Sequence, residues 1–172
     1  MFLDFIKSFV LKRTLKKSLR DVKEESLVSP VVSVGLVVDE SNFEKTAALK
    51  QEIAANGILE SNIKVIVFRD IVKSKTAYLE PTFGFQDLNF NSQFTKQSIN
   101  EFLAEEFDLL INYYNEEKPS LLLLTHRSKA KFKVGFSSVD NRLNHLLINI
   151  GQDNYKGFSS ELFRYLKILN KI

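Results

Sequence analysis

Residues 31–40 read VVSVGLVVDE. Valine dominates a run too short for a helix of average length. It lacks the polar alternation of a half-exposed strand, so it predicts a strand buried on both faces, as parallel sheets require. On its N-terminal side Pro30 closes a polar connector. On the other side Ser41-Asn42-Phe43-Glu44 has the form of a capping box, and it predicts a helix that runs to the Asn56-Gly57 stop signal. NIKVIVFRD at 62–70 predicts a second strand. A strand, a helix and a strand in this order give a parallel pair joined by a right-handed crossover.

The same alternation continues. Pro81, Gly84 and the Phe/Asn-rich FGFQDLNFNSQF predict a loop or a short edge strand within 71–94. Ser98-x-x-Glu101 is a second capping box, with the helix over INEFLAEE beginning there or nearer Thr95. FDLLINYY at 107–114 predicts a third strand, and Pro119 opens a short, mostly buried helix over SLLLLTHRSKA. AKFKVGF at 130–136 alternates Lys with apolar residues and predicts a half-exposed or edge strand. NHLLINIG at 144–151 is a further strand. After Gly157-Phe158-Ser159, the spacing of Leu162, Leu166 and Leu169 predicts a closing helix. The whole predicts a three-layer, Rossmann-like α/β domain with a mostly parallel sheet over 31–172, preceded by a connector at 24–30 and a basic helix at 1–23 as an N-terminal extension.

Composition narrows the chemistry. With no Cys there is no disulfide, thiolate ligand or Cys nucleophile. The two His, His126 and His145, form no HExxH and no imidazole cluster. No apolar run reaches the roughly 18 residues that cross a bilayer, and Lys7 interrupts the first apolar stretch where a signal peptide would need continuity. The expected location is cytoplasmic, including a peripheral position at the inner membrane. GxGxxG and GxxxxGK[ST] are absent, and the turn after the first strand, DESNF, is acidic and lacks glycine where a pyrophosphate would need bare N–H groups. No cofactor and no metal are expected.

Two resemblances rest on particular residues. The unit of strand FDLLIN, helix SLLLL…SKA and strand KFKVGF resembles one in the N-terminal half of heptosyltransferase-like glycosyltransferases. Asn112 stands where that unit has Asp, and Val134-Gly135 matches its Ile-Gly strand ending. Those enzymes hold the nucleotide sugar mainly in a second domain, for which 172 residues leave no room, so the resemblance does not imply transfer activity. The basic first helix, VSVGLVVDE, EFDLLIN, SKAKFKVGF and ELFRYLKILNK together resemble a family of small Rossmann-like α/β proteins of flavobacterial type and unknown function. That resemblance implies the domain boundaries and no activity.

In an open parallel sheet, ligands sit beyond the carboxyl ends of the strands. Read from those ends, Asp39 and Asp153 could act as general bases or hold a ribose or a divalent ion, and Asn112 and Tyr113 could orient a polar substrate. The preference of Asp and Asn for turns accounts for the same residues without any ligand. His145 beside Asp140 is a further pairing that the spacing does not support.

Charge points elsewhere. Residues 1–23 carry seven Lys/Arg against Asp4 and Asp21, while the rest of the chain holds 17 basic and 19 acidic residues. At ~100° per residue, Phe2, Phe5, Ile6 and Phe9 share one side of the helix, continued by Arg13, Lys16, Arg20 and Lys23. Leu11, Leu15, Leu19 and Val22 share another, which would dock on the domain. An aromatic and basic face suits an anionic membrane surface or an acidic groove on a protein partner. Nucleic acid would also gain from clustered cations, but no nucleic-acid-binding motif accompanies them. The expectation is a non-catalytic binding or adaptor domain recruited through this helix. The alternative is a small-ligand binder or a degenerate glycosyltransferase-like enzyme working at the strand carboxyl ends. The oligomeric state is not legible.

Overall fold

A computed structural model describes residues 2–19, 29–73 and 75–172, with the side chains of residues 2–8 and Ser18 outside that description. Helix α1 spans Phe2–Ser18. The body then alternates β1 (Val34–Asp39), α2 (Thr46–Ala55), β2 (Ile63–Phe68), β3 (Thr82–Phe83), α3 (Gln97–Ala104), β4 (Leu109–Tyr113), α4 (Pro119–Arg127), β5 (Phe132–Phe136), β6 (Leu146–Ile148) and α5 (Tyr155–Ile168). The strands form one sheet in the order β3-β2-β1-β4-β5-β6. Every pairing is parallel, with Val34 in register with both Ile63 and Leu109. This is the Rossmann-like α/β architecture that the alternating pattern predicts. β1 is central and wholly buried, which is why VGLVVD shows no polar alternation.

Two cores flank the sheet. On one face α2 and α5 pack their Leu49, Ile53, Phe158, Leu162 and Leu166 against Leu36, Val38, Ile111 and Tyr113. On the other face Ile99 and Phe102 of α3 and the leucines of α4 meet Val37, Ile66 and Leu110. α4 is buried on all sides from Ser120 to Thr125. α1 lies over it with Leu15 and Leu19 buried and Leu11 partly so. The Leu side of the first helix therefore docks, and burying two leucines stabilises that contact by roughly 3–6 kcal/mol before the entropy of ordering the helix is counted.

Several local expectations fail for identifiable reasons. α2 begins at Thr46 with Lys45 at its N-cap and no side-chain cap. Ser41 is instead held in the preceding turn, its N–H on Asp39 Oδ1 and its Oγ accepting from the Asp70 N–H. α3 likewise starts at Gln97 behind Lys96, without a side-chain cap. β5 is an interior strand, not an edge. Its Lys133 is buried, because the long stem lets the ammonium reach the Thr125 carbonyl at the end of α4, 2.8 Å away. α5 starts before Gly157, where Asn154 Oδ1 accepts the Gly157 N–H. The Gly57 signal holds: α2 stops at Ala55 and Gly57 turns the chain at φ +103°.

Candidate functional site

The chain leaves β1 toward α2 on one face and leaves β4 toward α4 on the other, so the topological switch point lies at the carboxyl ends of these two strands. Asp39 ends β1 and is 1% exposed. Its Oδ2 pairs with Lys118 Nζ at 2.8 Å, and its Oδ1 accepts the Ser41 N–H at 3.0 Å. Lys118 precedes α4, lies 5.2 Å from the centre of the Phe68 ring and also reaches Asp70 Oδ2 at 2.9 Å. Burial pulls its pKa down, but Asp39 and Asp70 more than offset this and hold it above the ordinary lysine value. A lysine from the β4–α4 connection thus occupies the place where a ligand would meet Asp39.

Asn112 and Tyr113 are neighbours in β4, so their side chains point to opposite faces. Asn112 Nδ2 donates to Asn144 Oδ1 at 2.7 Å, and Asn112 Oδ1 accepts from Thr125 Oγ1 at 2.9 Å. Thr125 Oγ1 in turn shares a hydrogen bond of 2.6 Å with the Tyr114 hydroxyl. Burial pushes the Tyr114 hydroxyl pKa well up, so the chain of bonds stays neutral. Asn144 packs directly on Gly135, where a Cβ would stand 2.6 Å from Nδ2. The strand ending Val134-Gly135 is therefore explained by the approach of Asn144. On the other face Tyr113 donates to the Gln152 carbonyl and packs its ring against Phe43, Phe136 and Phe158 at 4.7, 5.1 and 5.0 Å between centroids. Burial raises its pKa most, followed by the nearby Asp153 and Tyr155.

Asp153 itself is exposed, in the turn before α5. The four predicted ligand residues therefore do not line one pocket. Asp39 and Asn112 look to the α4 side and Tyr113 to the α5 side, and Asp153 faces solvent. His145 accepts the Lys133 N–H through Nδ1 and stacks on Phe132, while Asp140 is held by Arg142. Among the described residues, no group of His, Asp and Glu is placed to hold a metal.

The same edge is open on its β2–β3 side. A cleft of about 550 Å³ lies there between the start of α2, the end of β2 and the 71–80 loop. Glu40 and Arg69 form an ion pair on its wall, and Glu40 also accepts from the Thr46 hydroxyl. Arg69 stacks over Tyr78 at 5.3 Å. Arg69 falls among the strand carboxyl ends that the sequence marks, without a role of its own there, while Tyr78 sits in an irregular loop and carries no signal.

α1 carries the other predicted surface. Arg20 and Lys23 lie outside the described residues, as do the side chains of Phe2, Phe5 and Ile6. Lys16 turns inward: its Nζ lies 2.6 Å from Glu117 Oε2, which Lys12 also reaches at 3.1 Å. Burial pushes the Glu117 pKa up, but the two lysines more than offset this and lower it. Phe9 and Val10 remain 58% and 54% exposed, beside the exposed Arg13 and Lys17. Phe9, Lys12, Arg13, Lys16 and Lys17 border a shallow groove of about 430 Å³. No described helix is long and apolar enough to cross a membrane.

The chain belongs to a family of unknown function, DUF6913, whose model matches residues 7–169, from within α1 to just past α5. No curated protein and no solved structure matches it.

Proposed function

We propose that this member of the family is a non-catalytic, peripheral binding module that docks on an anionic membrane surface through the outer side of α1, from the cytoplasmic side. One observation carries the reading: the helix is fixed to the body by Leu15 and Leu19, yet presents Phe9 and Val10 to solvent beside Arg13 and Lys17. A helix without a docked side would leave orientation to chance. Here the body fixes which side faces outward. The apolar pair can enter the headgroup boundary while the cations meet lipid phosphates. Each cation near an anionic surface contributes about 1 kcal/mol.

The contacts at the switch point weigh against a transferase working there. Asp39 is engaged by Lys118, and Asn112 is bonded at both ends of its amide.

The test is co-sedimentation of the full chain with vesicles of phosphatidylserine and phosphatidylcholine, and with phosphatidylcholine alone. Binding to the anionic vesicles only, weakening with salt, is expected. Phe9→Ser with Arg13→Glu and Lys17→Glu should weaken it by at least about tenfold, given about 1 kcal/mol per cation. No binding to anionic vesicles at low salt, or binding that the triple variant leaves unchanged, overturns the reading. In that case a protein partner for the same face becomes the question.

A further inference from the structure

We propose that the cleft between Arg69 and the 71–80 loop binds a small zwitterion of dipeptide size that carries an apolar side chain. Its volume of about 550 Å³ falls in the range of small-molecule pockets, and it lies at the carboxyl edge of the sheet, where this architecture places ligands. The inference is independent of the membrane reading, since α1 contributes nothing to the cleft.

The charges on the walls select the ligand class. The Glu40 carboxylate is already engaged by Arg69 and Thr46, and Glu80 lies 3.6 Å from Lys50. What remains is Arg69 Nε, buried with no acceptor among the described residues, and two exposed groups, Lys73 and Glu44. A guanidinium N–H buried without an acceptor is costly, and a small turn of the Arg69 side chain, which is 37% exposed, would bring this donor to a ligand carboxylate oxygen. A ligand with only negative charge would meet Glu40, Glu44 and Glu80. A ligand with only positive charge would meet Arg69 and Lys73. A molecule with one charge of each sign can place its carboxylate at Arg69 Nε and Lys73 and its ammonium at Glu44.

The apolar requirement comes from the mouth. Ile71 and Leu79 line the cleft yet are 76% and 102% exposed. Between them the Tyr78 ring is fixed from two sides, by the Arg69 guanidinium and by its own hydroxyl, which accepts the Lys73 N–H at 3.0 Å. Uncovered aliphatic side chains next to a preset aromatic ring and an unfilled hydrogen-bond donor suit a ligand whose body is apolar and whose ends are charged.

Isothermal titration calorimetry of the full chain tests this, with leucyl-leucine, its N-acetyl derivative and its C-terminal amide as ligands. Saturable binding of the free dipeptide is expected, with each blocked form at least tenfold weaker. Arg69→Gln should weaken the free dipeptide at least tenfold and remove the penalty for amidation. Because Arg69 also holds Glu40, Leu79→Ser serves as the second variant: its side chain lines the mouth but is fully exposed, and the change should weaken the dipeptide severalfold with an unchanged circular dichroism spectrum. No saturable binding at millimolar dipeptide, equal binding of a dipeptide blocked at both ends, or an affinity unmoved by Leu79→Ser overturns the proposal.

Discussion

Asp39 and Glu40 are adjacent in the chain and end in opposite conditions. Asp39 turns toward α4 and is sealed at 1% exposure against Lys118, so the β1–β4 side of the carboxyl edge is filled by the protein's own charges. Glu40 turns toward α2 and stands on the wall of an open cleft, beside a guanidinium with a donor to spare. The switch point that the topology favours is thus the closed half, and the open half lies two strands toward the edge. Strand order says where a ligand site can be built. Whether a site is available depends on which polar groups still lack partners.

The sharpest way to break this comparison is Asp39→Ala. Removing one partner of a buried ion pair costs about 3–5 kcal/mol. Lys118 retains Asp70, so a loss of about 3 kcal/mol in urea unfolding of the full chain is expected. A loss below about 1 kcal/mol would mean that the pair does not hold this half closed.

Next in size is Lys133, also under the closed half, which has no carboxylate partner among the described residues. Burial lowers its pKa from 10.5 to about 8. The unfolded chain keeps the proton up to 10.5, so between pH 8 and 10.5 it binds more protons than the folded chain, and the native protein gains stability as pH rises. Lys133→Met should therefore stabilise at pH 7. The shift is equivalent to about 3 kcal/mol, and losing the bond to the Thr125 carbonyl returns about 1 kcal/mol. A net gain of about 2 kcal/mol is expected, shrinking toward zero or below by pH 10. A gain that does not change with pH would show that the buried charge is not its source.

The smallest effect belongs to the open half. Leu79→Ser should change stability by less than about 0.5 kcal/mol, as surface substitutions do. A larger loss in the same urea titration would make the 71–80 loop part of the packing rather than a wall kept for a ligand.

Much of the fold was legible because β1, β2 and β4 are continuous apolar runs and the helices between them have clear stops. The lysines of β5 alternate with apolar residues and so predict a half-exposed or edge strand, because a sequence does not reveal that a lysine stem will carry its amine to a helix-end carbonyl. The first capping box misleads because Ser41 has a better partner, the Asp70 N–H from another strand end. At the site, the position of Asp39 was legible but its engagement was not, since Lys118 arrives from a connection far along the chain. Asn112 stands out in the sequence as a polar residue in an apolar strand, yet its partners come from α4 and from the segment before β6. The cleft was invisible for a similar reason: its walls are drawn from two separate stretches, 40–47 and 67–82, the second mostly an irregular loop.

α4 is buried on every side from Ser120 to Thr125 because the sheet covers it from within and α1 from without. A truncated chain that begins after α1 would therefore present a bare leucine stripe to water, and it would self-associate or adhere to any greasy matrix it met. Its behaviour in a capture assay would report on that stickiness rather than on recognition. Work on this family should accordingly proceed through point changes at Phe9, Arg13 and Lys17, which leave the cover in place.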